Sequence, residues 1–491
     1  MESLARTANR GSISTGYDID NSCKFEHSNA ESLGKDQAQG TQTTWTFSTW
    51  LKRTALSDTS HSYHHVWAAG RSDLDNGTKF YFRGDSSYPE NRIFFYMDNG
   101  GTQYLHGATS QSFRDTSAWY HIVWAVDTTQ STASDRSKVY INGELQTLVG
   151  VSGAAFTNPP QNSSTRVNDN GGVMYVGAQN QNGGNRFRGY LAETVLIDGS
   201  QLDVTDFGEY DDDSGIWIPK DVSGLSFGTR GFYLDYSDAS NLGNDADGST
   251  EFNEYNITAA DQATDTPTNN FATFNVAQPR QSGTTIAEGG TEMYVNSNYQ
   301  TAVSSIAVSS GKWYAEFIAG GGNAMVGFVD VTEWTIPQLH NGFWLGYDGT
   351  GNTLSVGMKG SDGVIYNESN SATGATFGNA DVLSVALDMD NRKAYFAVNG
   401  TWVNSGNPAT AANPILWYTQ RADGTPWTDV ITMGITGNSN TYPRCNFGGY
   451  SSVVPSSPQS DANGYGTFEY APPSGYYALC GKNLAEFGGT A

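Results

Sequence analysis

Two consecutive phrases decide the fold: Tyr120-His121-Ile122-Val123-Trp124-Ala125-Val126-Asp127, and then Lys138-Val139-Tyr140-Ile141-Asn142-Gly143. In the first, Tyr120, Ile122, Trp124 and Val126 alternate with smaller or polar neighbours, the period-two pattern of a strand with one face in a core. The second ends in Asn-Gly, whose residues both tolerate the positive φ of a type I′ hairpin turn. The same wording returns downstream as Val382 to Leu387, Asp388, then Lys393 to Val398 and the turn Asn399-Gly400. Trp45, Phe47 and Leu51 alternate in the same way. No window of a dozen residues offers an amphipathic helix. The reading is an all-β protein with two antiparallel β-sandwich (jelly-roll) domains, one for each copy of the phrase.

Composition agrees. The chain has 491 residues, of which 15% are charged and 13% aromatic, with 57 glycines. Disordered chains are rich in charge and poor in aromatics, and 15 prolines cannot sustain a collagen repeat. The length sets a prior of about three domains. A net charge of −24, with no basic run longer than Lys52-Arg53, excludes nucleic acid and anionic membrane as natural partners. Cys23, Cys445 and Cys480 lie far apart without CxxC spacing, which is no disulfide framework or zinc ribbon. They read as buried thiols, with a Cys445–Cys480 pair left open. Met1 to Ser14 lacks the apolar region of a secretory signal, and no stretch approaches the about 20 apolar residues of a membrane span.

The acidity is uneven. Asp198 to Asp265 holds 16 acidic and two basic residues, Lys220 and Arg230. With few alternating runs, this stretch reads as an irregular acidic connector packed along both sandwiches. The expected division is a docking segment 1–20, a sandwich 21–200, the connector 201–278, a second sandwich 279–483 and a tail 484–491.

The first half resembles the laminin-G-like, concanavalin-type jelly roll of bacteriophage proteins. The phrases that carry this are Thr44 to Arg53, Trp119 to Val123, Lys138 to Gly143 and Gly189-Tyr190-Leu191-Ala192-Glu193. The second half resembles a SPRY-type sandwich through Ser310 to Phe317, Val326-Gly327-Phe328, Asp388 to Phe396 and Asn446-Phe447-Gly448. Connector phrases such as Asp265 to Phe271, and the ending Pro472 to Cys480, are similar to those of marine phage virion proteins that combine the two modules. The resemblance implies a virion location, synthesis in the host cytoplasm, other virion proteins as partners and a homo-oligomeric state.

Chemistry is harder to find. Glycoside hydrolysis needs two carboxyl groups flanking one bond, and glucanases similar to this fold place three on one strand as Glu-x-Asp-x-x-Glu. That string is absent. Glu251 and Glu254 fall on opposite faces of a strand, and Glu209 with Asp211 lacks a third member. His61, His64 and His65 cluster in what reads as a polar loop, without a Gly-x-Ser-x-Gly elbow. Calcium has candidate ligands in Asp211, Asp213, Asp245 and Asp247, hard oxygens on flexible loops. Aromatics that stack on sugars are sought in loop-rich segments, which gives Tyr81, Tyr96, Trp334, Trp344 and Trp427 as candidate ligand contacts. The expectation is a non-enzymatic virion surface protein, a fibre, tail appendage or capsid decoration, that adheres to host glycan or protein. The alternatives are a polysaccharide-degrading tail protein and a cement protein without a host ligand.

Overall fold

The computed structural model describes residues 16–488 apart from 57–62, 72–76, 84–90, 152, 182–184, 249–250, 279–283, 297, 333–343, 347–353, 368–369, 418, 421–423 and 450–451. It is all-β, as expected, and the chain divides into two compact units, Ser14–Thr268 and the remainder. Both Asn-Gly turns form as the sequence implies. Asn142 and Gly143 have φ of 48° and 82°, Asn399 and Gly400 of 47° and 74°. They bring Ile141 opposite Glu144 and Val398 opposite Thr401. No helix among the described residues is long and apolar enough to cross a membrane.

The first unit has a two-stranded sheet of Gly208–Tyr210 with Trp217–Pro219 and two sheets of eight strands each. One is centred on Trp119–Asp127, Thr44–Arg53 and Gly189–Asp198, the other on Thr102–Thr109, Arg92–Asn99, Gly77–Arg83 and Tyr63–Gly70. Between them Trp45, Trp67 and Trp124 form the core, Trp45 meeting Trp124 edge-on at 5.2 Å and Trp67 stacking on Phe47 at 4.5 Å. The indole N–H groups of Trp45 and Trp124 donate to Thr165 and Ser137, both at 3.0 Å, so burial leaves neither donor bare.

The acidic segment differs from its expected role as a connector. As far as Thr268 it is part of the first unit. Phe232–Leu234 pairs with Gly189–Asp198, Asn253–Tyr255 with Ser32–Asp36, and Gln262–Ala263 with Ser22–Phe25. Val204, Phe207, Trp217, Val222 and Phe227 cover the outer face of the first sheet, packing on Trp50, Val123, Val195 and Ile197. That sheet is therefore buried on both faces, and all ten residues of Gly189–Asp198 are buried where alternation implied a wet side.

The acidic side chains are spent on backbone and buried cations. Asp198 accepts from the Thr41 and Arg230 amides, and Asp245 from that of Tyr233. Asp203 caps a short 3-10 turn through the Thr205 amide. Lys24 pairs with Asp261 at 2.8 Å, and Lys52 with Asp265 at 2.6 Å, where both partners are shielded from water.

The second unit has a nine-stranded and a six-stranded sheet around a core that includes Trp313, Phe317, Phe328, Leu387 and Phe396. It begins at Asn269, ten residues before the expected boundary at 279. The expected tail from 484 is also integral: the Gly481–Phe487 helix buries Leu484 in this core. Glu316 binds the C-terminal segment, accepting the amides of Glu469 and Tyr470 at 2.8 Å each. Cys445 and Cys480 are both buried free thiols.

Candidate functional site

The outward face of the second sheet of the first unit breaks the usual rule that strand residues pointing away from a core are polar. In Gly77–Arg83, Thr78, Phe80 and Phe82 are fully buried, the two phenylalanines in the core, and Lys79, Tyr81 and Arg83 take the opposite face. Register sets His65 and Phe94 on either side of Tyr81, Tyr96 beside Lys79, and His106 beside Tyr96. A bulge after His65 shifts the Tyr63–Gly70 strand, so that Val66 and Trp67 both reach the core while His65 faces outward.

The result is a built surface. His65 lies against Tyr81 with ring centres 4.6 Å apart, and Tyr81 stacks on Phe94 at 5.6 Å with 8° between planes. Tyr96 meets His106 edge-on at 5.3 Å. Cations lie over two of these rings: Lys79 Nζ is 5.1 Å from the Tyr96 centroid, and the Arg83 guanidinium 4.7 Å from that of Tyr63. The Asn185 amide donates to Gln179 at 2.8 Å on the rim. Together these residues enclose a hollow of about 340 Å³. Two other hollows in this unit are larger: one has Phe113 and Tyr120 among Ser, Gln and Asn side chains with an exposed leucine, and the other has a single aromatic, Tyr255. Among the described residues neither sets imidazole groups beside its ring faces, the mix of apolar faces and placed polar groups that orients a small ligand.

Burial pushes the His65 imidazole well below its ordinary range, and the nearby Lys79 charge adds to this. His106 is lowered by burial and then by Arg83 and Lys79. Both rings are thus neutral near neutral pH, each with one donor and one acceptor nitrogen. Nδ1 of His65 is buried and has no hydrogen-bond partner among the described residues.

Of the aromatics expected to contact a ligand, the structure brings Tyr81 and Tyr96 together here, on strands and not in loops. Trp344 lies in the second unit, stacked on Tyr299 at 4.7 Å under Lys359. Trp427 is only 5% exposed and packs in the second core with Phe328 and Trp417, so it is a core residue despite Pro426 and Thr428 beside it. Trp334 and His61 lie outside the described residues. His64 and His65 belong to a buried strand, not a polar loop. Lys79, Arg83 and His106 escaped the sequence reading, which noticed His65 only as part of a polar loop, although Lys79-Phe80-Tyr81-Phe82-Arg83 has an aromatic on its outward parity.

The four calcium candidates are not brought together. Asp211 is turned onto the Ser214 amide and hydroxyl, and Asp245 onto the Tyr233 and Asp247 amides. Asp213 and Asp247 are exposed. Among the described residues no three His, Cys, Asp or Glu side chains converge on a metal position.

A buried serine–histidine pair also fails as a nucleophile. His121 Nε2 is 2.9 Å from Ser48 Oγ, but its Nδ1 accepts the Trp217 indole N–H at 2.9 Å. A neutral ring then carries its proton on Nε2 and donates to Ser48, so it cannot take the serine proton. Burial holds this imidazole at about 3.

Residues 26–200 match the Laminin_G_3 family, described as the concanavalin A-like lectin/glucanases superfamily. No curated protein matches the chain. Solved structures with partial likeness include domains LG4-5 of the mouse laminin alpha1 chain (12% identity, 86% of this chain and 84% of that one, TM-score 0.28). The SPRY domain of human HERC1 shares 15% identity over 37% of this chain and 99% of its own, at a TM-score of 0.26. A native heptameric SAP-like pentraxin from Limulus polyphemus shares 14% over 38% and 80%, at 0.28.

Proposed function

We propose that the protein is a non-enzymatic adhesion module that binds saccharide in the hollow between His65, Tyr81, Tyr96 and His106. The observation that carries this reading is an outward sheet face tiled with aromatic rings and edged by neutral imidazole and amide groups. Sugar rings present C–H faces that pack on aromatics and hydroxyls that need paired donors and acceptors. The concanavalin A-like match over residues 26–200 supports the same region as the binding part of the chain. The setting proposed for this activity is a virion surface, as homo-oligomer with other virion proteins, and it rests on the resemblance of the sequence phrases alone.

Glycan binding measured by calorimetry or on an array tests the site. Tyr96→Ala and His106→Ala are expected to weaken binding by about tenfold or more each, a loss of about 1.4 kcal/mol, with unchanged melting temperature. Unchanged affinity in both variants overturns the site. Release of oligosaccharides from host envelope polysaccharide overturns the non-enzymatic reading. Immunogold labelling of virions that leaves particles bare overturns the setting.

A further inference from the structure

We propose that Lys24 and Asp261 condense to a side-chain amide, with Glu31 carrying the proton, so that the first and last strands of the first unit become covalently joined.

Three buried side chains of complementary chemistry meet at this point. Lys24 Nζ lies 2.8 Å from Asp261 Oδ1 and 3.2 Å from Glu31 Oε1, and the side chains of Lys24, Glu31 and Asp261 are 4%, 2% and 6% exposed. The backbone sets them there. Ser22 and Cys23 pair with Ala263 and Gln262, and one further step of that register places Lys24 opposite Asp261. Glu31 is held by the Glu26 backbone N–H on Oε2 at 2.6 Å and by the Asn29 side-chain amide on Oε1 at 2.9 Å. The two oxygens of Asp261 have different tasks. Oδ1 faces the amine, while Oδ2 accepts from the Thr258 N–H at 2.7 Å and from its hydroxyl at 3.1 Å.

The step is a condensation and needs no oxidant. The Lys24 ammonium passes one proton to Oδ1, which leaves a neutral amine beside a carboxylic acid; away from water, neutral groups cost less than ions. The nitrogen bonds to Cγ, and the carbonyl electron pair moves to Oδ2, where the Thr258 N–H and O–H stabilise the charge. Glu31 takes a second proton from nitrogen and delivers it to Oδ1, whose bond to Cγ breaks as water leaves. The carbonyl re-forms at Oδ2, the amide nitrogen keeps one hydrogen, and Glu31 ends as a carboxylate. Fixed positions supply the effective concentration, and exclusion of water disfavours the reverse hydrolysis. The bond ties Ser22–Phe25 to the segment leading into Gln262–Ala263, near the two ends of the Ser14–Thr268 unit. A pull on those ends is then carried by a covalent link.

Intact-mass spectrometry of the full chain tests this, with tandem spectrometry of its proteolytic peptides. The expected mass is about 18 Da below that of the sequence, one water, with a branched peptide joining Lys24 to Asp261. Glu31→Gln is expected to restore the mass of its own sequence and to give linear peptides only. Asp261→Asn, which keeps the side-chain shape, is expected to form the same branched peptide with loss of ammonia, about 17 Da. That variant reads the reaction even where Glu31→Gln does not fold. A folded, unaltered chain at its full sequence mass with linear peptides only overturns the inference. A branched peptide at Lys52 and Asp265 instead, also buried and 2.6 Å apart, overturns its placement. A branched peptide that persists in Glu31→Gln overturns the role of Glu31. None of these outcomes depends on saccharide binding.

Discussion

Glu193 occupies the left-handed region at φ 48°, where the pairing of Thr44–Arg53 with Gly189–Asp198 shifts register. The bulge turns its carboxyl inward, where the Tyr233 hydroxyl donates to it at 2.9 Å. Burial raises this carboxyl to about 8, and burial likewise raises Glu316 to about 7. Groups whose folded pKa is raised stabilise the fold fully below their ordinary value of 4.5, and that stability is lost as pH rises through 7 and 8. His121 works in the other direction: lowered from 6.5 to about 3, it stabilises above 6.5 and loses that as pH falls. Melting temperature is therefore expected to peak in mildly acid solution and decline toward pH 9. Glu193→Gln, which mimics the protonated carboxyl, should flatten the alkaline limb in a calorimetric pH series. An unchanged limb removes Glu193 as its source. At the same scale, Asp265→Ala removes the carboxylate that pairs with the Lys52 ammonium, 0% exposed. The cost is expected to be about 3–5 kcal/mol by urea unfolding. Single residues are where the sequence misled most. Trp427 has loop-like neighbours yet packs inward, because a loop at the end of a sandwich can close over the core. His65 needed a bulge to face outward, and no local pattern announces one.

At the scale of elements, strands with long alternation were legible and those with borrowed partners were not. Trp45, Phe47 and Leu51 lie in the core as their spacing implies, and both Asn-Gly hairpins form. The three-residue strand Phe232–Leu234 carries too little pattern to be read alone, since its pairing with Thr194 to Leu196 is settled by tertiary contact. Trp50 shows the consequence: it reads as the wet side of its strand and is buried under the Val204–Phe227 cover, stacked on His121 at 4.6 Å. Trp217→Ala should open that cover and cost about 3–5 kcal/mol, measured by chemical denaturation. Gly143 lies under the same indole. A Cβ there would sit 2.4 Å from the Trp217 ring at a φ of 82°. Gly143→Ala is expected to destabilise by more than the about 1–2 kcal/mol of left-handed strain alone.

For the whole molecule, the even distribution of turns concealed where the first unit ends. A fragment of residues 16–268 should melt cooperatively, because it holds every strand of its sheets. A fragment ending at residue 200 lacks the cover over Trp50 and Ile197, and should aggregate or bind a hydrophobic dye. A cooperative melt of the shorter fragment would show that the cover is dispensable. The candidate site was half legible for a related reason. Tyr81 and Tyr96 stand out in any list of aromatics, but the imidazoles and cations beside them come together only when four strands are laid side by side.

The closure of the first unit also sets a clock on its synthesis. Ser22, on one of its earliest strands, donates to the Asp265 carbonyl 243 residues later. A ribosome adding about 5–20 residues per second needs roughly 12–50 s to deliver that partner. Through that interval the Ser22–Phe25 strand and the outer face of the first sheet wait half-finished, open to pairing with a neighbouring nascent chain. Where many copies are translated together, assembly between chains competes with completion within one, and slower translation favours the former.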